Sequence, residues 1–252
     1  MSATPLRALS FDSAAAQYAA NRPGYPPALL DAVEELAGRP LPGARTVDVG
    51  AGTGIATRLL LARGARVTAV EPGPGMAAEL QRSLPSVPVV RGDGNRLPLA
   101  TASADLITYA QSWHWTDPSH SLPEALRVLR PGGSLALWWN VSDASVGWIA
   151  EQGTRLGRHL GIDDGAHGTP GGSGSRNVET LSGDFARRLL PWSRTVPVDT
   201  HLANLATHSA FLVRDGESTR RFLDEERGHL AAVFSDGAVE ERYVVELAVL
   251  TG

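Results

Sequence analysis

The stretch Thr46-Val47-Asp48-Val49-Gly50-Ala51-Gly52-Thr53-Gly54 constrains the fold of this chain more than any other. It is an apolar strand that runs into alternating glycines and then into the apolar spacing of a helix over 55–63. Glycine permits positive φ and leaves no Cβ in the way of a ligand. The helix that follows offers unpaired N–H groups and the positive end of its dipole. Arg66 to Val70 reads as the next strand, and it closes on Glu71.

Spacing separates the two cofactor classes that use such a turn. The dinucleotide fingerprint is G-x-G-x-x-G/A, with an acidic residue about 20 positions on that holds ribose hydroxyls. Gly50 and Gly52 fit, but the third fingerprint position falls on Ile55, and the glycine comes one place early, at Gly54. Carboxylates are well placed all the same. Asp48 lies inside the strand, Glu71 follows Gly54 by 17 residues, and Asp93 follows the short apolar run 87–90. A carboxylate closing each of two successive strands suits a nucleoside, with ribose hydroxyls at one and adenine at the other, and does not call for a pyrophosphate.

Further segments fall in order along the first half of the chain: Tyr18 to Pro26 (YAANRPGYP), Val47 to Gly54 (VDVGAGTG), Val70 to Met76 (VEPGPGM), Gly92 to Pro98 (GDGNRLP), Asp105 to Trp115 (DLITYAQSWHW) and Glu124 to Asn140 (EALRVLRPGGSLALWWN). On these motifs the first ~140 residues resemble a class I S-adenosylmethionine-dependent methyltransferase of the small-molecule type, the group of ubiquinone-biosynthesis and trans-aconitate methyltransferase-like enzymes. Beyond about residue 150 the resemblance is weak.

The resemblance implies a role for each matching residue. Glu71 would accept hydrogen bonds from both ribose hydroxyls, with Pro72 beside it. Asp93 would accept from the adenine amine, near the backbone of Gly94 and with Asn95 in the same loop. Met76 would pack on the adenine face as a polarisable filler. Gly50, Gly52 and Gly54 would let the backbone approach the methionine part of the cofactor, and Gln111 would contact its end. Asp48 would brace the glycine loop or meet the cofactor's amino group through water. Arg22 could pair with the methionine carboxylate and Tyr18 hydrogen-bond to it; alternatively both fasten an N-terminal helix to the body. S-adenosylmethionine is thus the implied cofactor and S-adenosylhomocysteine the product.

Composition bounds the partners. A chain of 252 residues can bury a substantial core, and its 42% hydrophobic and 20% charged residues are ordinary for a globular protein. A net charge of −4 argues against nucleic acid or an anionic membrane as the main substrate. Enzymes that methylate the exocyclic amines of bases usually carry Asn/Asp-Pro-Pro-aromatic after the fourth strand, where this chain reads Ala110-Gln111-Ser112-Trp113. Without cysteine there are no disulfides, thiolate nucleophiles or cysteine metal sites. All 23 basic residues are arginine, which excludes a Walker A lysine and a Schiff base to pyridoxal phosphate. Histidine spacing suggests no metal. The absence of a signal-like segment or an apolar run of ~18 residues leads to an expected cytoplasmic location.

Strands expected near 45–49, 66–70, 87–90, 104–109 and 134–139, with helices between, indicate a doubly wound parallel α/β sheet. A sixth strand is expected at 194–199, helices at 11–20, 28–36, 202–213 and 217–234, and a last strand at 243–250. The resemblance makes this a Rossmann-like sheet of seven strands, helices on both faces and the last strand antiparallel. The chain divides into an N-terminal helical cap (1–40), a cofactor-binding core (41–140) and a substrate-recognition region (141–252) that completes the sheet and carries a polar, glycine-rich loop over 163–176.

Methyl transfer from a sulfonium is an in-line displacement, so the protein mainly has to align the nucleophile. A base is needed only if that nucleophile must lose a proton. His114 is the candidate, since it follows the fourth strand at the crevice end of the sheet; the alternative is that it packs between Trp113 and Trp115. Trp113, Trp115, Trp139 and Asn140 are expected to line the pocket of a small organic acceptor, where tryptophan stacks a flat molecule or meets the sulfonium through cation–π contact. Two other readings remain: a protein that binds the cofactor without methylating, as a cyclase or a regulatory binder, and, more distantly, an NAD-dependent oxidoreductase.

Overall fold

A computed structural model describes residues 20–161, 181, 183–207, 211 and 216–252. The helix expected over 11–20 falls outside them up to residue 19, as do Tyr18 and the loop 163–176. The elements in chain order are α1 (Ala28–Ala37), β1 (Arg45–Val49), α2 (Ile55–Ala62), β2 (Arg66–Glu71), α3 (Pro74–Ser83), β3 (Val89–Arg91), β4 (Ala104–Ala110), a 3-10 turn (Trp113–Trp115), α4 (Pro118–Val128), β5 (Leu129–Ser142), α5 (Gly147–Leu160), β6 (Ala186–Pro197), α6 (Val198–Ala206), α7 (Gly216–Val233) and β7 (Ala238–Thr251).

The strands form one sheet of seven in the order β3-β2-β1-β4-β5-β7-β6. β1 to β5 are parallel, and β7 runs antiparallel to both β5 and β6. The strand order reverses between β1 and β4, and the carboxyl ends of these strands open the crevice in which such sheets bind ligands.

Both faces of the sheet are covered, which is why its inner strands read as nearly continuous apolar runs. On one face Val47, Val49, Val70, Ile107, Tyr109, Leu137 and Trp139 pack with α4 residues Ala125 and Val128. On the other, Val67, Leu106, Trp138, Val245 and Leu247 pack against Leu29, Leu30 and Val33 of α1. Helix α1 buries the side chains that its apolar spacing aligns, and each such leucine or valine contributes roughly 1.5–3 kcal/mol. Gly38 ends the helix in the left-handed conformation, its N–H donating to the Glu34 and Glu35 carbonyls.

The inner strands lie where their apolar patterns put them, and the outer ones differ. β5 and β7 extend past the expected 134–139 and 243–250 because each pairs along 9 positions with the other. β6 begins eight residues earlier than expected, at Ala186, and the expected strand residues Val198 and Asp199 open α6 instead. As an edge strand β6 is at most half-buried along its length, so it lacks the apolar run of an inner strand. It even carries Pro191, which an edge tolerates because one side of the strand needs no ladder donor. Of the expected helix 202–213, the part to Ala206 belongs to a helix that starts at Val198, and residues 208–210, 212 and 213 lie outside the described residues.

Candidate functional site

The glycine loop leaves β1 at the carboxyl edge of the sheet. Gly50 and Gly52 sit at φ +66° and +57°, in the left-handed region. A Cβ on Gly50 would stand 2.5 Å from Cβ of Ser112, whose hydroxyl donates to the Val49 carbonyl at 2.6 Å. That glycine therefore serves the contact between β1 and the end of β4. Gly52 differs: a Cβ there would meet nothing within 4 Å. Its side of the loop is an open cradle, and the neighbouring Thr53 Oγ1 is buried with no hydrogen-bond partner among the described residues.

Glu71 closes β2 beside this cradle and is buried. One carboxylate oxygen accepts from the Gly52 N–H at 2.8 Å and the other from the Gly73 N–H at 2.7 Å. An ionised carboxylate accepts at both oxygens, the chemistry that a pair of ribose hydroxyls needs. Pro72 lends its carbonyl to Arg91, and Met76 lies buried in the first turn of α3.

The adenine-side loop is tied down by its own polar groups. Asp93 Oδ1 accepts from the Asn95 backbone and side-chain N–H at 2.9 and 3.1 Å, while Asn95 Oδ1 accepts from the Asp117 N–H at 2.7 Å. Asp93 Oδ2 has no hydrogen bond among the described residues and stays exposed. Gly94 is buried against Tyr109 and Thr116, where a Cβ would come within 2.9 Å of Thr116 Cγ2; Tyr109 donates to its carbonyl at 3.1 Å.

Asp48 is fully buried behind the loop and does not open on the crevice. It accepts from Thr57 Oγ1 at 2.6 Å and Thr108 Oγ1 at 2.9 Å, so it links α2 and β4 beneath the glycines. Burial lifts its carboxyl from 3.8 to about 6, against the lowering effect of both hydroxyls. The geometry is that of the bracing alternative. Thr57 and Thr108 were not marked by the sequence, since their partner lies 9 and 60 residues away.

Gln111, at the end of β4, adopts φ +55°, uncommon outside glycine and asparagine. Its N–H donates to the Trp138 carbonyl at 2.8 Å, and its side-chain amide makes no hydrogen bond among the described residues. Strain of this kind gathers at ligand sites.

The aromatic residues separate. Trp113 turns into the core, edge-on to Tyr109 with ring centroids 4.8 Å apart. Trp138 and Trp139 take opposite faces, as neighbours on a strand must. Trp139 donates its Nε1–H to His114 Nδ1 at 3.3 Å, and Trp115 lies tilted on the His114 ring at 4.7 Å. Burial pushes the His114 imidazole down from 6.5 to about 4, so it is neutral at pH 7. An indole can only donate; Nδ1 therefore holds the lone pair and Nε2 the proton. The only basic nitrogen of His114 faces Trp139, and the ring presents a donor.

Asn140 is used within the fold. It accepts from Trp192 Nε1 at 2.9 Å and donates to the Gly24 carbonyl at 3.5 Å. Arg22 donates to the Thr207 carbonyl at 3.3 Å, a contact of the fastening kind. A polar network that sequence reading missed lies beside them. His201 bridges Glu241 at 2.7 Å and Gln152 at 3.1 Å, Gln152 donates to Glu226 at 3.1 Å, and Arg194 and Arg155 pair with Glu241 and Glu226, both at 2.5 Å. Burial would raise Glu241, but His201 and Arg194 hold it at about 2. These partners are 40 or more residues apart, so no local motif announces them. Among the described residues no group of three or more His, Asp or Glu is placed to hold a metal, and no helix is long and apolar enough to cross a membrane.

The residues fit a nucleoside-bearing cofactor on structural grounds: an open cradle at Gly52, an orphaned buried hydroxyl at Thr53 and a backbone-anchored carboxylate at Glu71. Comparisons with known proteins agree. Residues 47–137 match a family profile described as a methyltransferase domain. An uncharacterized methyltransferase of Mycobacterium tuberculosis is 44% identical over 150 residues, 60% of either chain. The chain thus spans about 60% of the curated relative's length. A demethylmenaquinone methyltransferase of Beutenbergia cavernae is 39% identical over 97 residues, 38% of this chain and 40% of that one. A solved structure from Anaeromyxobacter dehalogenans, described as a candidate type II methyltransferase, superposes with TM-score 0.69 at 26% identity over 92% of this chain and 97% of its own.

Proposed function

We propose that this chain, whose residues 47–137 match a methyltransferase domain, transfers the methyl group of S-adenosylmethionine to a small organic acceptor. When bound, the cofactor supplies a methyl carbon already activated by its sulfonium. The observation that carries the reading is Glu71, a buried carboxylate at the close of β2 that the Gly52 and Gly73 N–H groups hold beside the open cradle at Gly52. Glu71 binds the ribose hydroxyls, Asp93 Oδ2 accepts from the adenine amine, and Gly52 and Thr53 take the methionine part. Met76 covers the adenine face. Gln111 orients the reacting end from the close of β4.

His114, Trp115 and Trp139 form the acceptor side of the crevice, an aromatic wall that includes the His114 N–H donor. Since His114 offers a proton and keeps its lone pair on Trp139, it acts as an orienting donor and not as a base. The acceptor therefore brings a nucleophile with its lone pair ready, such as a carboxylate or a weakly basic amine that is unprotonated at pH 7, and an alcohol would need a base that this wall does not supply. The test is mass spectrometry of S-adenosylhomocysteine and methylated product after incubation with matched carboxylic acids, amines and alcohols. Turnover of acids or amines over alcohols is expected. Preferential turnover of alcohols would refute the donor role, and cofactor binding without S-adenosylhomocysteine from any acceptor would favour the non-methylating reading.

A further inference from the structure

The crossover from β3 to β4, residues 92–103, contains no helix. The sheet face that carries Val47 and Thr68 is therefore uncovered at its amino-terminal edge, the end of the strands remote from the glycine loop. A depression of about 530 Å³ lies there, and Val47 and Leu99 supply apolar lining. That volume is within the ~300–1,000 Å³ of small-molecule sites. Arg45 and Arg66, register partners on β1 and β2, line it together with Thr68 and Ser86.

The polar lining is one-sided. Arg45 reaches Asp105 only through Nε, at 3.7 Å, and Asp105 is shared with Arg39 at 3.2 Å and with Arg130. The terminal nitrogens of Arg45, the whole guanidinium of Arg66 and the hydroxyls of Thr68 and Ser86 have no partner among the described residues. Arginines 39, 45 and 130 thus divide one carboxylate, and Arg66 has none, in a chain of net charge −4. Desolvation, and after it the charges of Arg45 and Arg39, push the Arg130 guanidinium down from its ordinary value. Like charges side by side on adjacent strands are unfavourable, and an anion seated between Arg45 and Arg66 relieves that repulsion.

We infer that this depression is a binding site for a small amphipathic anion, its phosphate or carboxylate head held by Arg45, Arg66, Thr68 and Ser86 and its apolar body lying on Val47 and Leu99. The arginine fork matches both head groups. The inference does not depend on the methyl-transfer reading, whose residues sit at the opposite edge of the sheet.

The experiment is calorimetric titration of the whole chain and of an Arg66→Ser variant with octyl phosphate and with octanoate, using inorganic phosphate and 1-octanol as head-only and body-only controls. The Arg66 side chain has no partner among the described residues, so the variant should fold normally. At least one of the two amphiphiles should bind the parent chain, the tighter one identifying the head, and should bind the variant about tenfold more weakly through loss of a charge-assisted hydrogen bond. Both controls should bind more weakly than the amphiphile. Equal affinity of parent and variant, absence of binding at millimolar concentration, or a control that binds as well as the amphiphile would overturn the proposal.

Discussion

Relative to the parent chain, an Asp48→Asn variant is expected to gain ~3 kcal/mol of stability as pH rises from about 4 to 7. The carboxyl is fully buried, and burial lifts it from 3.8 to about 6 despite hydrogen bonds from Thr57 and Thr108. Because the folded value lies above the unfolded one, the native state keeps a proton that the unfolded chain releases between 3.8 and about 6. The parent therefore loses stability as pH rises through that window, and about two pH steps at 1.36 kcal/mol each give the stated size. Asparagine has no proton to lose, so the variant lacks this slope. His114 acts with the opposite sign: burial lowers it from 6.5 to about 4, so its contribution is complete above 6.5 and lost as pH falls through about 4. The two slopes oppose each other in the parent, and the difference between variant and parent isolates Asp48. Urea unfolding followed by tryptophan fluorescence at stepped pH measures it. A difference that stays flat from pH 4 to 7 would show that the hydroxyls of Thr57 and Thr108 hold the carboxylate ionised, and would refute the dominance of burial.

The glycines of the loop should come apart under substitution. Gly50→Ala adds overlap with Ser112 to left-handed strain and should cost ~2–4 kcal/mol in thermal unfolding, whereas Gly52→Ala, facing open space, should cost only ~1–2 kcal/mol yet abolish cofactor binding in a titration. Glu241→Gln should cost ~3 kcal/mol or more by leaving His201 and Arg194 beside an uncharged group. Since Glu241 is held near 2, its contribution exists above 4.5 and disappears as pH falls toward 2, so acid unfolding of the variant should lose that part of the slope.

How much of this was legible in the sequence depends on the range of the interaction. The glycine loop, Glu71 and the inner strands were readable because each rests on a local pattern: an apolar run, a residue with no Cβ, a carboxylate at a strand end. Of β6 only the last four residues were, because an edge strand half open to water has no apolar run to announce it. The contacts of Trp113 and Asn140 were not legible for a related reason. Both stand at the crevice end of the sheet, but Tyr109 draws Trp113 inward, and Trp192, 52 residues on, occupies Asn140. The role of His114 turned on Trp139, 25 residues away, and the His201 network on pairings across α5, α6, α7, β6 and β7. Sequence spacing carries none of these.

The central claim is that Glu71 and the Gly50–Gly54 loop hold S-adenosylmethionine. Calorimetric titration of the whole chain with S-adenosylhomocysteine, beside a Glu71→Ala variant, tests it most directly. Micromolar binding by the parent, weakened at least a hundredfold in the variant through loss of about 3 kcal/mol of charge-assisted hydrogen bonding, is the predicted result. Absence of binding to the parent at millimolar concentration, or equal affinity in both proteins, would contradict it.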